Sequence, residues 1–291
     1  MYDAFYNFEE LPFPNIPDPD TLYLSPGHQR ALSVLQYSLI ARSGFCVVTG
    51  EVGAGKTTLV RRLLQLAAPN LEVGLVSNTQ CESFEEFLQW VLLAYDLDHG
   101  SKSKVEMYAD FIDFLITQYD KGQPVTLIVD EAQHLGPEYL EQLRMLSNVN
   151  TEKGLLLQTI LVGQPELWDI LRKAELRQFA QRISYDYHLG PLESSEIVGE
   201  YITHRITTVG GDADLFESNT FSLIHQASRG IPRLINLLCD TALIYGFAEQ
   251  SKTITVELLQ QVLKDKQDSF APFSEPSEQQ RSSQVSPLRS R

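Results

Sequence analysis

The sequence predicts an α/β fold: a parallel five-stranded sheet sandwiched by helices, followed by a small all-α domain. Three observations carry that expectation. Short apolar runs recur between amphipathic stretches as far as residue 190. A glycine-rich turn joins the first such run to the amphipathic stretch after it. Past Gly190-Pro191 the strand pattern stops and only helical patterns follow.

Residues 1–26 are dense in prolines and aromatics, among them Phe5, Tyr6, Phe8, Pro12, Phe13, Pro14, Pro17 and Pro19. Prolines at this density forbid a long helix, so an extended strap packed through its aromatics is expected. Residues 27–41 then place Ala31, Leu32, Leu35, Leu39 and Ile40 on one helical face. Apolar runs at 45–49, 73–77, 125–129, 156–162 and 183–189 read as buried strands. They alternate with helical patterns at 56–68, 84–94, 104–119, 138–146 and 166–179. Such alternation means a parallel sheet covered on both faces. Helices are expected at 193–207, 218–227, 232–248 and 256–266, and the boundary between the two domains near residue 190. The expected organisation is a strap 1–26, an α/β domain 27–190, a helical lid 191–268 and a tail 269–291. The tail is rich in Ser, Pro, Gln, Glu and Arg and too poor in apolar groups to offset its ordering, so it is expected to be disordered.

Composition narrows the function. With 43% hydrophobic and 21% charged residues among 291, the chain can bury a sizeable core. No apolar run approaches the roughly 20 residues of a membrane-crossing helix. The N-terminus lacks a basic region followed by an apolar core, so a cytoplasmic protein is expected. Cys46, Cys81 and Cys239 form no CxxC pair and read as free thiols of a reducing compartment. Asp and Glu number 38 against 23 Lys and Arg, a net charge of -15, which disfavours nucleic acid bound across a broad surface.

Gly50, Glu51, Val52, Gly53, Ala54, Gly55, Lys56 and Thr57 fit G-x-x-x-x-G-K-[ST], between an apolar run and an amphipathic helix; Thr58 extends the run. Glycines let backbone N–H groups wrap a phosphate without Cβ clashes, and the helix N-terminus adds unpaired donors. Lys56 is expected to bridge the β- and γ-phosphates and Thr57 to offer its hydroxyl to Mg²⁺. Asp130 and Glu131 end the apolar run 125–129. Asp130 is expected to hold Mg²⁺ and Glu131 to polarise the attacking water, so ATP or GTP binding with hydrolysis is expected.

This combination resembles the P-loop NTPases of the AAA+ class. Within it, Phe13 after Leu11-Pro12, the run Thr49 to Thr58 and Asp130-Glu-Ala-Gln133 are similar to a narrower family. So are Leu146-Ser-Asn148, Leu161 to Leu167, Gln181-Arg-Ile183 and Gly230 to Asn236. That family is the general secretion pathway protein A (ExeA) group. Its larger members continue into a membrane helix and a peptidoglycan-binding domain, so this chain looks like the short, MshM-like type of MSHA pilus biogenesis. The resemblance implies ATP with Mg²⁺, and an oligomeric ATPase, most simply a ring, that assists assembly of a type IV pilus or type II secretion apparatus. Its partners would be assembly proteins at the inner membrane, to which the chain would be peripheral. By motif, Gln164 matches sensor 1, Arg182 the arginine finger with Arg177 its rival, and Arg233 in Gly-Ile-Pro-Arg sensor 2. Asn78 falls where such proteins hold the catalytic glutamate in check.

Two other classes stay open: an ATP-dependent DNA-binding regulator of the origin-recognition or transposition-targeting kind, and a nucleotide-gated scaffold. The six histidines (28, 99, 134, 188, 204 and 225) show no paired spacing and predict no structural metal. Trp90 and Trp168 read as core or interface, and Tyr185 and Tyr187 as sheet-face residues.

Overall fold

The computed structural model describes residues 1–14, 21–42, 44–77, 79–148, 150–151 and 154–266; the expected tail lies outside them. Residues 21–190 form one compact unit, and residues 1–14 group with residues 191–266 in a second.

The first unit is built on β1 (Phe45–Gly50), β2 (Glu72–Val76), β3 (Val125–Val129), β4 (Leu157–Gly163) and β5 (Ile183–Leu189). They form one all-parallel sheet in the order β2-β3-β4-β1-β5. Burial along each strand explains that order. β1, β3 and β4 are buried at every residue, so they need cover on both faces and lie inside. β2 is mixed and β5 alternates until its last residue, and these are the edges.

In chain order the helices are α1 (Tyr2–Tyr6), α2 (Pro26–Ala41), α3 (Lys56–Leu66), α4 (Phe84–Leu93), α5 (Lys104–Asp120) and α6 (Pro137–Leu146). Then come α7 (Glu166–Leu171), α8 (Arg177–Ala180), α9 (Ser195–Thr208), α10 (Thr220–Ser228), α11 (Pro232–Ala248) and α12 (Val256–Lys266). Serine N-caps at 25, 83, 103 and 194 accept the backbone N–H groups that α2, α4, α5 and α9 leave unpaired. The period-2 alternation of the strands makes two cores. Phe45, Val47, Leu127, Val129 and Leu161 pack with Phe87, Phe111 and Leu143 of α4, α5 and α6. Cys46, Val48, Ile128, Ile160 and Val162 pack with Leu35 of α2 and Leu59 and Leu63 of α3.

In the second unit, Val198, Ile202, Ile224, Ile235, Leu238, Leu259 and Val262 of α9 to α12 are fully buried. The N-terminal residues dress this core. Tyr2 donates its hydroxyl to Asp240, Phe5 sets its edge on Phe247 with centroids 5.4 Å apart, and Arg205 Nε donates to the Pro12 carbonyl at 2.7 Å.

Two expectations need correction. The strap is not extended at its start, because Tyr2–Tyr6 precedes the first proline and buries Tyr2 and Tyr6 on one helical face. The single helix expected over 166–179 breaks, with Lys173 extended and a 3₁₀ turn at Ala174–Leu176 before α8. A continuous helix would turn Leu176 roughly 140° away from Leu171. The break brings Leu167, Leu171, Leu176 and Phe179 to one core. A small hairpin, Asn150–Thr151 with Gly154–Leu155, was not foreseen. Among the described residues no helix is long and apolar enough to cross a membrane.

Candidate functional site

The sheet order sets three neighbouring strands, β3, β4 and β1, with their carboxyl ends side by side, the edge where ligands bind in open α/β sheets. From β1 leaves the glycine-rich loop, from β3 the Asp130-Glu131 pair and from β4 Gln164.

Gly53 and Gly55 take φ of 83° and 96°, the left-handed region that lets the loop curl and aim its N–H groups inward. Ala54 N donates to the Glu51 carbonyl at 3.1 Å, and α3 begins at Lys56. Lys56 is buried, and its ammonium donates to the carbonyls of Gly50 (2.7 Å) and Glu51 (3.0 Å). Burial pushes that ammonium below the ordinary lysine range, and the charges of Glu131 and Asp130 pull it back most strongly. Among the described residues it makes no ion pair within contact distance. Thr57 Oγ1 donates to Asp130 Oδ2 at 2.8 Å, and Asp130 Oδ1 accepts from the Glu131 N–H at 2.9 Å.

Glu131 has a left-handed backbone (φ 53°, ψ 36°), rare for a side chain of its size. Thr79 Oγ1 donates to its carbonyl at 2.8 Å. Its Oε2 accepts from Gln133 Nε2 at 2.6 Å and from Gln164 Nε2 at 3.2 Å, and Gln133 Oε1 accepts from the Gln164 N–H at 2.9 Å. Burial draws the Glu131 carboxyl upward, but the two amides, Lys56 and His134 hold it net below the usual carboxylate range. It is therefore ionised at neutral pH.

This group fits a nucleoside polyphosphate with Mg²⁺. The glycine cradle offers backbone donors, and Lys56 is a buried cation whose partners among the described residues are carbonyls only. Thr57 and Asp130 supply one hydroxyl and one carboxylate, the sparse oxygen set that suits an ion completing its shell with phosphate and water. No group of three or more His, Cys, Asp or Glu that could hold a metal alone occurs among the described residues.

Of the residues singled out in the sequence, the loop Gly50 to Thr58, Asp130, Glu131 and Gln164 meet here. Asn78 lies outside the described residues. Arg182 does not join them within one copy. Its carbonyl accepts from Phe45 N at the start of β1, about 17 Å of strand from the loop at the far end. Arg177 is exposed on α8, and Arg233 is exposed on the first turn of α11 in the helical unit.

Three further residues shape the site beyond those expected to act in it. His28 is buried under the loop, where Nε2–H donates to the Ala54 carbonyl at 3.0 Å and Nδ1 accepts from Ser25 Oγ at 2.7 Å. Thr49, the residue before the loop, accepts from Trp168 Nε1 at 2.7 Å and lies 3.0 Å from His188 Nδ1. Gln133 is the third: it closes the Asp130-Glu-Ala-Gln133 motif, but the motif alone assigned its amide no part in the site.

The fold is the P-loop fold of the AAA+ class. A family described as "AAA domain" matches residues 40–171. The chain is related to the General secretion pathway protein A of Aeromonas hydrophila, with 42% identity over 257 residues, 87% of this chain and 46% of that protein. It thus spans about half the length of that relative. Among solved structures, Cdc6p from Pyrobaculum aerophilum aligns with a TM-score of 0.69 at 14% identity, covering 96% of this chain and 73% of that one. The Aeropyrum pernix ORC2 protein, in ADPNP-ADP complexes, gives 0.67 at 18% identity over 88% and 72%. At such identities the likeness is one of fold alone.

Proposed function

We propose that this chain binds ATP with Mg²⁺ and hydrolyses it as an oligomer, in the service of assembling a secretion or type IV pilus apparatus. The observation that carries the chemistry is the clamped, ionised Glu131 beside Lys56 and the Thr57–Asp130 pair. The pathway rests on the 42% identity to a protein named for general secretion.

In this reading the loop N–H groups and Lys56 bind the phosphates. Thr57 and Asp130 hold Mg²⁺, which when bound draws charge off the β- and γ-phosphates. Glu131 takes a proton from the attacking water, and the Gln164 amide reads the γ-phosphate. Arg233 is the second sensor, on the helical unit, and Asn78 restrains Glu131 between turnovers. Arg182 sits too far along the sheet to serve its own loop, which supports a role on a neighbouring copy. A finger of that kind is worth about 10³ to 10⁵ in rate, or about 4 to 7 kcal/mol. The partners are other copies of the chain and assembly proteins at the inner membrane.

The test is ATPase rate per subunit against protein concentration, with Lys56→Ala and Arg182→Ala alongside. A rate that climbs with concentration, and is lost in both variants while Arg182→Ala still binds ATP, is the expected result. A flat rate untouched by Arg182→Ala removes the shared site. A rate that survives Lys56→Ala removes the phosphate loop from the chemistry.

A further inference from the structure

We propose that Gln133 is a positioning residue: its side-chain amide aims the Glu131 carboxylate and ties that aim to the end of β4, where Gln164 sits. The inference rests on the ATPase reading above and adds to it how the base is held.

Both ends of the Gln133 amide are spoken for. The Gln164 backbone N–H can only donate, so it faces Oε1, and that fixes Nε2 toward Glu131 with no freedom to flip. Gln164 adds its own side-chain donor to the same carboxylate oxygen. Glu131 Oε2 is thereby saturated, while Oε1 has no hydrogen-bond partner among the described residues. Among the described residues, then, one carboxylate oxygen is tethered and the other is open to accept a proton. Its main chain is pinned separately, by Thr79 and by Asp130, in a left-handed conformation that would not persist unaided.

The strand end is shaped for this amide. A Cβ at Gly163 would lie 3.0 Å from Gln133 Oε1, 3.3 Å from Gln133 N and 2.9 Å from Leu167 Cδ2. Gln133 therefore occupies the space that any other residue at 163 would fill. The chain of contacts runs from the Gln164 main chain through one rigid amide to Glu131. Displacement of Gln164 accordingly moves the carboxylate with it.

The experiment compares wild type, Gln133→Leu and Gln133→Glu by turnover, by titration with a fluorescent ATP analogue, and by amide hydrogen exchange over 161–167. Leucine keeps the bulk and loses both hydrogen bonds. A misplacement of about 1 Å costs on the order of 10²-fold, so turnover should fall by about that factor at unchanged nucleotide affinity. Exchange at Gln164 should quicken in the nucleotide-free protein. Glutamate keeps the acceptor for the Gln164 N–H, so exchange there should stay slow. It sets a carboxylate against Glu131, and turnover should fall at least as far.

Turnover near wild type in Gln133→Leu overturns the inference. So does a parallel loss of affinity and turnover, which would mark a merely structural role, and so does unchanged exchange at Gln164. A wild type that binds ATP and never turns it over defeats the ATPase reading and any catalytic part for Gln133 with it. An active wild type beside an equally active Gln133→Leu defeats this inference alone.

Discussion

Replacing Glu131 by glutamine isolates proton acceptance from everything else the residue does. Glu131 Oε2 receives two amide donors, at 2.6 Å and 3.2 Å, and a glutamine can offer its single carbonyl oxygen to both. Its own NH₂ then takes the place of Oε1, which has no partner to lose among the described residues. Charge-assisted hydrogen bonds become neutral ones, a loss of about 1 kcal/mol, offset by no longer burying a charge. Stability should move by less than about 1 kcal/mol. ATP affinity should stay within about threefold, under about 0.7 kcal/mol. What vanishes is the base, worth about 10² to 10⁴ in rate, or about 3 to 5 kcal/mol of barrier. Phosphate release under saturating ATP and titration with a fluorescent analogue measure the two quantities on one preparation. Turnover within about tenfold of wild type, less than a general base supplies, would exclude Glu131 as the base, as would affinity falling in step with rate.

Further outcomes follow from the same geometry. Gly163→Ala should lower stability by about 1 to 3 kcal/mol through overpacking against Leu167 and Gln133, and should lower turnover as well. Calorimetry with a rate assay checks both, and an unchanged melting temperature would show that the strand end has slack. Gly230 stands at φ +71°, and a Cβ there would lie 2.2 Å from the Leu192 carbonyl oxygen. Gly230→Ala should therefore cost about 2 to 5 kcal/mol in urea denaturation, the sum of a left-handed alanine and a backbone overlap. His28 carries a pKa lowered chiefly by burial, so the native state binds fewer protons than the unfolded one. Stability is then lost as pH falls below about 6.5, at no more than about 1.4 kcal/mol per pH unit. Gln at 28 keeps a donor for Ala54 without titrating. The stability difference between wild type and His28→Gln should narrow from pH 8 to pH 5, and parallel curves would contradict it.

The parts legible in the sequence are those where local pattern and final environment coincide. Val125–Val129 is apolar throughout because it lies inside the sheet, and the same run points straight at Asp130 and Glu131. The glycine spacing of 50–57 is legible because the backbone itself needs it, as the φ of Gly53 and Gly55 shows. The break after Leu171 was hidden, since Leu167, Leu171, Leu176 and Phe179 look helical until a single core must receive all four. His28 was hidden for a different reason. Its hydrogen bond to Ala54 joins positions 26 apart, and nothing in either local stretch announces the other. The arginines divide along the same line: Arg182 could be matched by motif, but its distance from its own phosphate loop is a property of strand length and direction.

The grouping of residues 1–14 with the helices after 190 orders events during synthesis. The sheet-bearing segment is interrupted by nothing foreign and can close once β5 has left the ribosome. The helical unit cannot. Tyr2 waits for Asp240 and Phe5 for Phe247, partners translated more than two hundred codons later. Until then the first residues trail a cluster of uncovered aromatic rings, the kind of surface that chaperones hold. The sheet segment can thus fold before the two stretches that flank it in sequence are able to pair.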